Sequence, residues 1–126
     1  MKVLVINPGA TSTKIAVFDE DKQVFKKGID HSAQELDQFD RVIDQADYRQ
    51  KAILDAVAES GYQLSDFDAV CGRGGLYRAI PSGTYAVSDA VMRDVEQAPY
   101  GEHPSNLGAY LARKIGDMVG IPAFFV

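Results

Sequence analysis

The sequence predicts an α/β domain with a mixed sheet, in which three antiparallel strands come first, parallel strands follow, and helices pack on the sheet. Two observations favour this fold class. Apolar runs separated by short turns fill the first thirty positions, and short connections favour antiparallel pairing. Further along, segments with helical periodicity alternate with apolar runs that predict strands. A helix that connects two strands favours a right-handed parallel connection between them.

The length and composition indicate one globular domain. The chain has 126 residues, enough to bury a core, with 46% hydrophobic and 25% charged residues. The net charge of −5, without a basic cluster interleaved with aromatic residues, disfavours nucleic acid as a partner.

The cysteine content and the amino terminus bear on the compartment. A single cysteine, Cys71, excludes an internal disulfide framework and indicates a reducing environment. The apolar run at residues 3–6 is too short for a signal peptide, and no stretch could span a bilayer. We therefore predict a cytoplasmic protein without a membrane partner.

The turn between the first two predicted strands, residues 7–13, has the composition of an anion-binding loop. Gly9 has no Cβ, which lets a ligand approach the backbone closely. The candidate donors are successive backbone N–H groups with the side chains of Thr11, Ser12, Thr13 and Lys14. Ordinary turn chemistry also uses Pro-Gly and hydroxyl residues, but three adjacent hydroxyls exceed what a turn needs. We predict a phosphate-binding hairpin, distinct from a P-loop because a strand follows it and not a helix.

The middle of the chain changes from strand to helix and back. Residues 23–29 predict a third, antiparallel strand, and His31 follows at its end. A lone histidine there is more typical of a turn or cap than of a catalyst, and we assign it no role. Residues 44–60 have helical periodicity, with Gly61 placed to end the helix. Residues 66–71 predict a strand parallel to the first.

Arg73 follows this parallel strand directly and lies among Gly72, Gly74 and Gly75. Ligands of open α/β sheets bind beyond the carboxyl ends of the strands, and arginine suits bidentate binding of an oxyanion. The alternative is a plain glycine-rich turn with a solvated arginine. We favour the binding interpretation.

The last third of the chain predicts two helices and two strands. Residues 83–87 predict a short strand, and Ser88 is expected to cap a helix. A loop at residues 97–104 contains His103, which is either a catalytic group or a histidine bonded to a helix cap.

Ser105 is expected to cap the last helix, which Gly120 ends. Its predicted apolar stripe comprises Leu107, Leu111, Ile115, Met118 and Val119. Residues 123–126 are wholly apolar and predict a buried central strand. Because domains seldom end flush on such a strand, we expect the chain to be part of something longer.

Three motifs in this order resemble the amino-terminal domain of butyrate kinase, in the acetate and short-chain fatty acid kinase family of the sugar kinase, Hsp70 and actin superfamily. The motifs are Asn7-Pro8-Gly9-Ala10-Thr11-Ser12-Thr13-Lys14, Val70-Cys71-Gly72-Arg73-Gly74-Gly75-Leu76 and His103-Pro104-Ser105-Asn106-Leu107-Gly108. The resemblance runs through the whole chain and implies a ribonuclease-H-like, actin-like ATPase domain. Ala10 departs from the acetate-kinase loop, which has a hydroxyl there, so Thr11 and Ser12 must serve. The acetate kinases have a longer segment with an extra His before the Gly-Gly pair and one more residue between the His and the Asn of the third motif, and these two differences favour the butyrate branch.

The resemblance implies ATP-dependent phosphorylation of a short-chain carboxylate, giving an acyl phosphate and ADP with Mg²⁺. By position, Asn7, Ser12 and Lys14 would lie at the phosphates, with Asn7 also at the metal. Arg73 is similar in placement to the arginine that binds substrate and the transferring phosphoryl group, and His103 to the histidine that stabilises the transition state.

The resemblance also implies that part of the active site lies elsewhere. In the family an Asp follows the strand that corresponds to residues 123–126, and a carboxy-terminal domain supplies the second phosphate loop and the adenosine pocket. We therefore expect this chain to fold, to supply one half of a cleft, and to be inactive alone.

Three alternatives stay open at this point. A nuclease on a related sheet would need a carboxylate on the first strand, where Asn7 lies. A non-catalytic binding or oligomerising module would fit the same composition, and the sequence leaves open whether the chain forms a homo-oligomer. An acetate or propionate kinase would differ in pocket volume by few methylenes, each worth only about 1–3 kcal/mol of discrimination.

Overall fold

A six-stranded sheet organises the computed structural model, which describes residues 1–73, 83–99 and 101–126. The strands are β1 (Lys2–Pro8), β2 (Ser12–Asp19), β3 (Lys22–Asp30), β4 (Ala69–Gly72), β5 (Tyr85–Ala86) and β6 (Ala123–Phe125). Their order across the sheet is β3-β2-β1-β4-β6-β5. The leading three strands are antiparallel, and β4 and β6 run parallel to β1. The predicted mixed sheet is confirmed, with the addition that β5 pairs antiparallel to β6.

Four helices accompany the sheet in the described ranges: α1 (Ala33–Leu36), α2 (Ala46–Ser60), α3 (Asp89–Gln97) and α4 (Leu107–Val119). Single 3₁₀ turns form at Val42–Gln45, Leu64–Asp66 and Pro104–Asn106. Within these described ranges, no helix has the length and hydrophobicity needed to cross a bilayer.

Three of the four predicted capping residues lie at the ends of helices as expected. Gly61 and Gly120 end α2 and α4 in the left-handed region, at φ +88° and +72°. The Ser88 hydroxyl accepts a hydrogen bond from the Val91 N–H at the start of α3. Ser105, however, does not cap α4; it lies inside the 3₁₀ turn that precedes the helix, and Asn106 is the capping position.

The core lies on one face of the sheet, between the strands and helices α2 and α4. Alternate strand residues point to this face and are buried: Leu4, Ile6, Ile15 and Val17. The stripe predicted for α4 is only partly buried, because Leu107, Leu111 and Ile115 are fully covered but Met118 and Val119, in the last turn, are 53% and 37% exposed.

The start of α4 lies unusually close to the end of β4. A Cβ on Gly72 would lie 2.1 Å from the Gly108 carbonyl oxygen, and a Cβ on Gly108 would lie 2.2 Å from the Arg73 carbonyl oxygen. Only two glycines permit this approach. It fixes the loop before α4 to the carboxyl end of β4.

Candidate functional site

The turn that joins β1 to β2 is closed by its own hydrogen bonds. Asn7 pairs with Lys14 and Pro8 with Thr13 across the two strands. The Gly9 N–H donates to the Ser12 carbonyl at 2.7 Å, and the His31 N–H donates to the Thr11 carbonyl at 2.8 Å. The Gly9 amide is thus used inside the hairpin, and any anion contact by the backbone falls to the amides that follow it.

Three of the predicted residues come together on the sheet face opposite the core. Asn7 and Lys14 are direct cross-strand partners. Arg73 continues the line of β4 beside β1, since its N–H donates to the Ile6 carbonyl at 2.9 Å. All three line one cavity of about 490 Å³, which runs along this face from Asn7 and Lys14 to Phe18 and Gln23 at the other end of the strands. The turn residues Gly9, Thr11 and Ser12 are not among its lining residues.

The charge of this cavity is opposite to that of the whole chain. Lys26 and Lys27 line it together with Lys14 and Arg73, and its described lining contains no carboxylate, although the net charge of the protein is −5. In the described part of the chain, the side chains of Asn7, Lys14 and Arg73 have no ion-pair or hydrogen-bond partner. Lys27 forms an ion pair with Glu59, so within the described residues the uncompensated positive charge at the cavity is that of Lys14, Lys26 and Arg73, and such charge attracts anions.

His103 lies at the surface, at the start of the 3₁₀ turn Pro104–Asn106. Its Nδ1 accepts a hydrogen bond from the Ser105 backbone N–H at 3.1 Å and is 2.8 Å from the Ser105 hydroxyl oxygen. Because Nδ1 is an acceptor, the proton of the neutral ring is on Nε2, which is left as an outward donor.

The position of His103 relative to the cavity follows from the packing of its loop. The turn Pro104–Asn106 contacts β1, and Gly108 lies against the Arg73 backbone. His103 therefore lies at the same end of the sheet as the hairpin turn and Arg73. It is not among the residues that line the 490 Å³ cavity.

The three hydroxyls of the turn differ in their surroundings. Thr11 is exposed and Ser12 is half-buried, but Thr13 is completely buried. The Thr13 hydroxyl lies 2.8 Å from His31 Nε2 and accepts from Arg49 Nη1 at 3.1 Å. The prediction of three anion-facing hydroxyls is corrected here: strand alternation turns the Thr13 side chain into the core, so it supports the loop from below. Gly74 and Gly75 lie outside the described residues.

Two residues of this region were not predicted from the sequence. Arg49, in α2, is completely buried, and His31, to which the sequence assigns no role, is only 5% exposed. Burial, and secondly the charge of Arg49, lower the pKa of His31 below its usual value. The signal for Arg49 was present, because it lies one turn before Ile53 on the face of α2 that packs on the sheet.

The residues at this site fit a magnesium ion that takes most of its ligands from water and substrate phosphates. Asn7 offers one half-buried amide oxygen, and no group of three or more His, Cys, Asp or Glu side chains gathers within residues 1–73, 83–99 and 101–126. Mg²⁺ keeps several waters and is often held by one or two protein groups plus substrate phosphates. The donor set fits that mode, with Asn7 as the protein contact.

The comparisons with known proteins begin with sequence. No known family profile matches the chain. Over 125 residues, 99% of the chain, it is 42% identical to butyrate kinase 1 from Clostridium acetobutylicum. The resemblance to butyrate kinase is confirmed. The chain spans 35% of the length of that relative.

Solved structures similar to this chain show the same fold. Acetate kinase from Entamoeba histolytica aligns with a TM-score of 0.60 at 13% identity, covering all of the chain and 36% of that protein. Acetate kinase from Porphyromonas gingivalis aligns with a TM-score of 0.58 at 20% identity, covering 99% and 36%. RuvC from T. thermophilus, bound to a Holliday junction substrate, gives 0.54 at 15% identity, covering 100% and 64%. The predicted ribonuclease-H-like fold is confirmed; at these identities the likeness concerns the fold alone.

Proposed function

We propose that this chain supplies one half of the active-site cleft of an ATP-dependent kinase that phosphorylates butyrate to butyryl phosphate. One observation carries the proposal. In a chain 42% identical to a butyrate kinase, the side chains of Asn7, Lys14 and Arg73, which have no partner among the described residues, line one cationic cavity on the sheet face opposite the core.

Each residue has a role that follows from its chemistry. Phosphoryl transfer asks the protein mainly for positioning and for neutralisation of charge on the transferring group. Lys14 neutralises the polyphosphate, with Gly9, Thr11 and Ser12 forming the wall of the phosphate site. Arg73 binds the carboxylate and the phosphoryl oxygens through its planar fork of donors. His103, donating from Nε2, stabilises negative charge on the equatorial oxygens.

A bound Mg²⁺ would neutralise part of the charge of the phosphate groups. In this chain Asn7 would hold it, through its amide oxygen. The remaining ligands would be water and phosphate, since the described residues offer no clustered carboxylates.

Alone, the chain should not turn over. It spans 35% of its butyrate kinase relative, and the nucleotide base and part of the transition-state contacts belong, on this proposal, to a carboxy-terminal domain. An acetate or propionate kinase of the same family and a non-catalytic binding module are the alternatives that the experiment below distinguishes.

The test measures nucleotide binding and turnover separately. A ligand that binds only the folded state raises the melting temperature. We expect Mg-ATP to raise the Tm of the chain, and Lys14→Gln to remove most of this shift. The matched control Lys22→Gln removes an exposed lysine at the start of β3, outside the cavity, and should leave the shift intact.

Turnover is followed with ATP, Mg²⁺ and butyrate, trapping acyl phosphate with hydroxylamine. No product is expected from the chain alone, and product should appear when the remaining two thirds of a homologous kinase is co-expressed with it. Preference for acetate or propionate in the reconstituted enzyme would select the alternative substrate. No Tm shift with millimolar Mg-ATP would refute the nucleotide site and favour the non-catalytic module.

A further inference from the structure

Arg49 is a completely buried cation that binds the hairpin turn from the core side. Its Nη1 donates to the Ser12 carbonyl at 3.0 Å and its Nη2 to the Ala10 carbonyl at 3.4 Å. The Nε donates to Gln45 Oε1 at 3.0 Å, one turn earlier in the helix. None of the hydrogen bonds found for this guanidinium in the described part of the chain goes to a carboxylate.

A second contact links this guanidinium to His31. Arg49 Nη1 also donates to the Thr13 hydroxyl, which lies 2.8 Å from His31 Nε2. With the Thr13 oxygen accepting from Arg49, its own proton is directed to Nε2 of a neutral imidazole. The edge of that imidazole packs on the Tyr48 ring, with centroids 5.1 Å apart. The cluster of Arg49, Thr13, His31 and Gln45 thus ties α2 and the end of β3 to the turn.

The hairpin is also held by bonds that do not involve Arg49. The two strands are already paired from Lys2–Asp19 to Pro8–Thr13, and the Gly9 N–H closes the turn. Burying an unpaired cation is costly, and it is tolerated only where its N–H groups are bonded. The cost suggests a role beyond folding.

The direction of the peptide groups suggests that role. In a trans peptide the carbonyl of one residue and the N–H of the next point in opposite directions. Because the Ala10 carbonyl points inward to Arg49, the Thr11 N–H points outward to solvent. Thr11 is exposed, and its N–H has no acceptor in the described part of the chain.

We propose that Arg49 is a positioning residue for the phosphate site: by holding the Ala10 and Ser12 carbonyls inward, it keeps the Thr11 amide turned outward as a phosphate donor. The inference rests on the proposed function and deepens it. Arg49 does not touch the ligand. It acts through the turn, as the Thr13 hydroxyl does.

The test compares two arginines that each hold a backbone carbonyl. Arg49→Lys keeps the charge, but the ammonium group lacks the planar fork of N–H donors that binds the Ala10 and Ser12 carbonyls together. The control, Arg113→Lys, loses the same fork at α4, where Arg113 binds the Val87 carbonyl and Asp89. We expect both variants to lower the Tm. Only Arg49→Lys should weaken Mg-ATP binding by about tenfold or more, the size expected from one hydrogen bond to a charged group.

A second measurement uses the wild-type chain and does not depend on the variant folding. Titration with inorganic pyrophosphate should shift the Thr11 amide proton resonance strongly and move the Gly9 amide, which is bonded within the turn, much less. Unchanged ATP affinity in a folded Arg49→Lys, or an unmoved Thr11 amide, would overturn this inference while leaving the kinase proposal intact. Wild-type chain that binds neither ligand would overturn both.

Discussion

Gly9 separates the needs of folding from those of binding at the scale of one residue. A Cβ built there would lie 3.6 Å from the Ser12 carbonyl oxygen and from its Oγ, which is ordinary van der Waals contact. Its φ is outside the left-handed region that favours glycine. The turn itself therefore tolerates a side chain, and the glycine is explained by the approach of a ligand.

Gly9→Ala is predicted to fold normally and to bind nucleotide poorly. Loss of backbone freedom in the unfolded chain should raise the free energy of unfolding by about 0.4–1 kcal/mol. The added methyl group should weaken Mg-ATP binding. Urea unfolding and calorimetric titration measure the two effects; a destabilised variant with normal affinity would show that the glycine serves the turn.

His31 should make stability depend on pH. Burial and the Arg49 charge lower its pKa in the folded state, whereas Glu35 and Asp30 oppose this more weakly. The unfolded chain then binds the proton more readily than the folded chain. The free energy of unfolding should rise with pH through the window from the lowered pKa to about 6.5, and fall as pH drops through it.

The measurement is a series of urea unfolding curves from pH 5 to pH 8, with His31→Gln as the comparison. The variant should lose part of the pH dependence in that window, while the contribution of the surface carboxylates stays in both proteins. Identical pH profiles of the two proteins would contradict a lowered pKa of His31 in the folded state.

For single residues, the sequence predicted the positions of those that depend only on the pairing of neighbouring strands. Asn7 and Lys14 face each other because the hairpin is local, so alternation alone places them. Thr13 was misjudged, and the burial of His31 and Arg49 was not predicted, because their surroundings depend on how α2 packs against the turn, from more than thirty residues away. The helical period places Arg49 on the packed face of α2, but no local pattern gives its partners in the turn.

The contact of α4 with β4 shows how one pair of elements sets the geometry of the site. Gly72 and Gly108 let the helix start against the strand end, which brings the His103 loop to the end of the sheet that carries Arg73. The elements themselves were predicted from periodicity and caps. The closeness of these two was not, since a glycine within a helix looks like any weak helix former.

Gly108→Ala is predicted to displace α4. Its Cβ would lie 2.2 Å from the Arg73 carbonyl oxygen, and backbone on both sides has to move. Overpacking of this kind costs about 1–3 kcal/mol or more. Gly28→Ala is the matched control, because nothing lies within 4 Å of a Cβ there. Urea unfolding of both variants gives the comparison, and equal stability of the two would contradict the tight contact.

In the described part of the molecule, the predicted sequence of strands and helices holds, with antiparallel pairing across the short connections and parallel pairing of β4 with β1 across the helical crossover. The short helix α1 and the 3₁₀ turn at Val42–Gln45 were not predicted, since four-residue elements carry too few apolar positions for a period to be read.

The two outer strands also have a consequence for self-association. On one side β3 presents the exposed lysines Lys22 and Lys26, and on the other β5 is only two residues long in the described part of the chain. Edge strands that are charged or very short resist the edge-to-edge pairing with other chains that leads to fibrils. Concentrated samples of this chain should therefore resist growth into amyloid through these two edges.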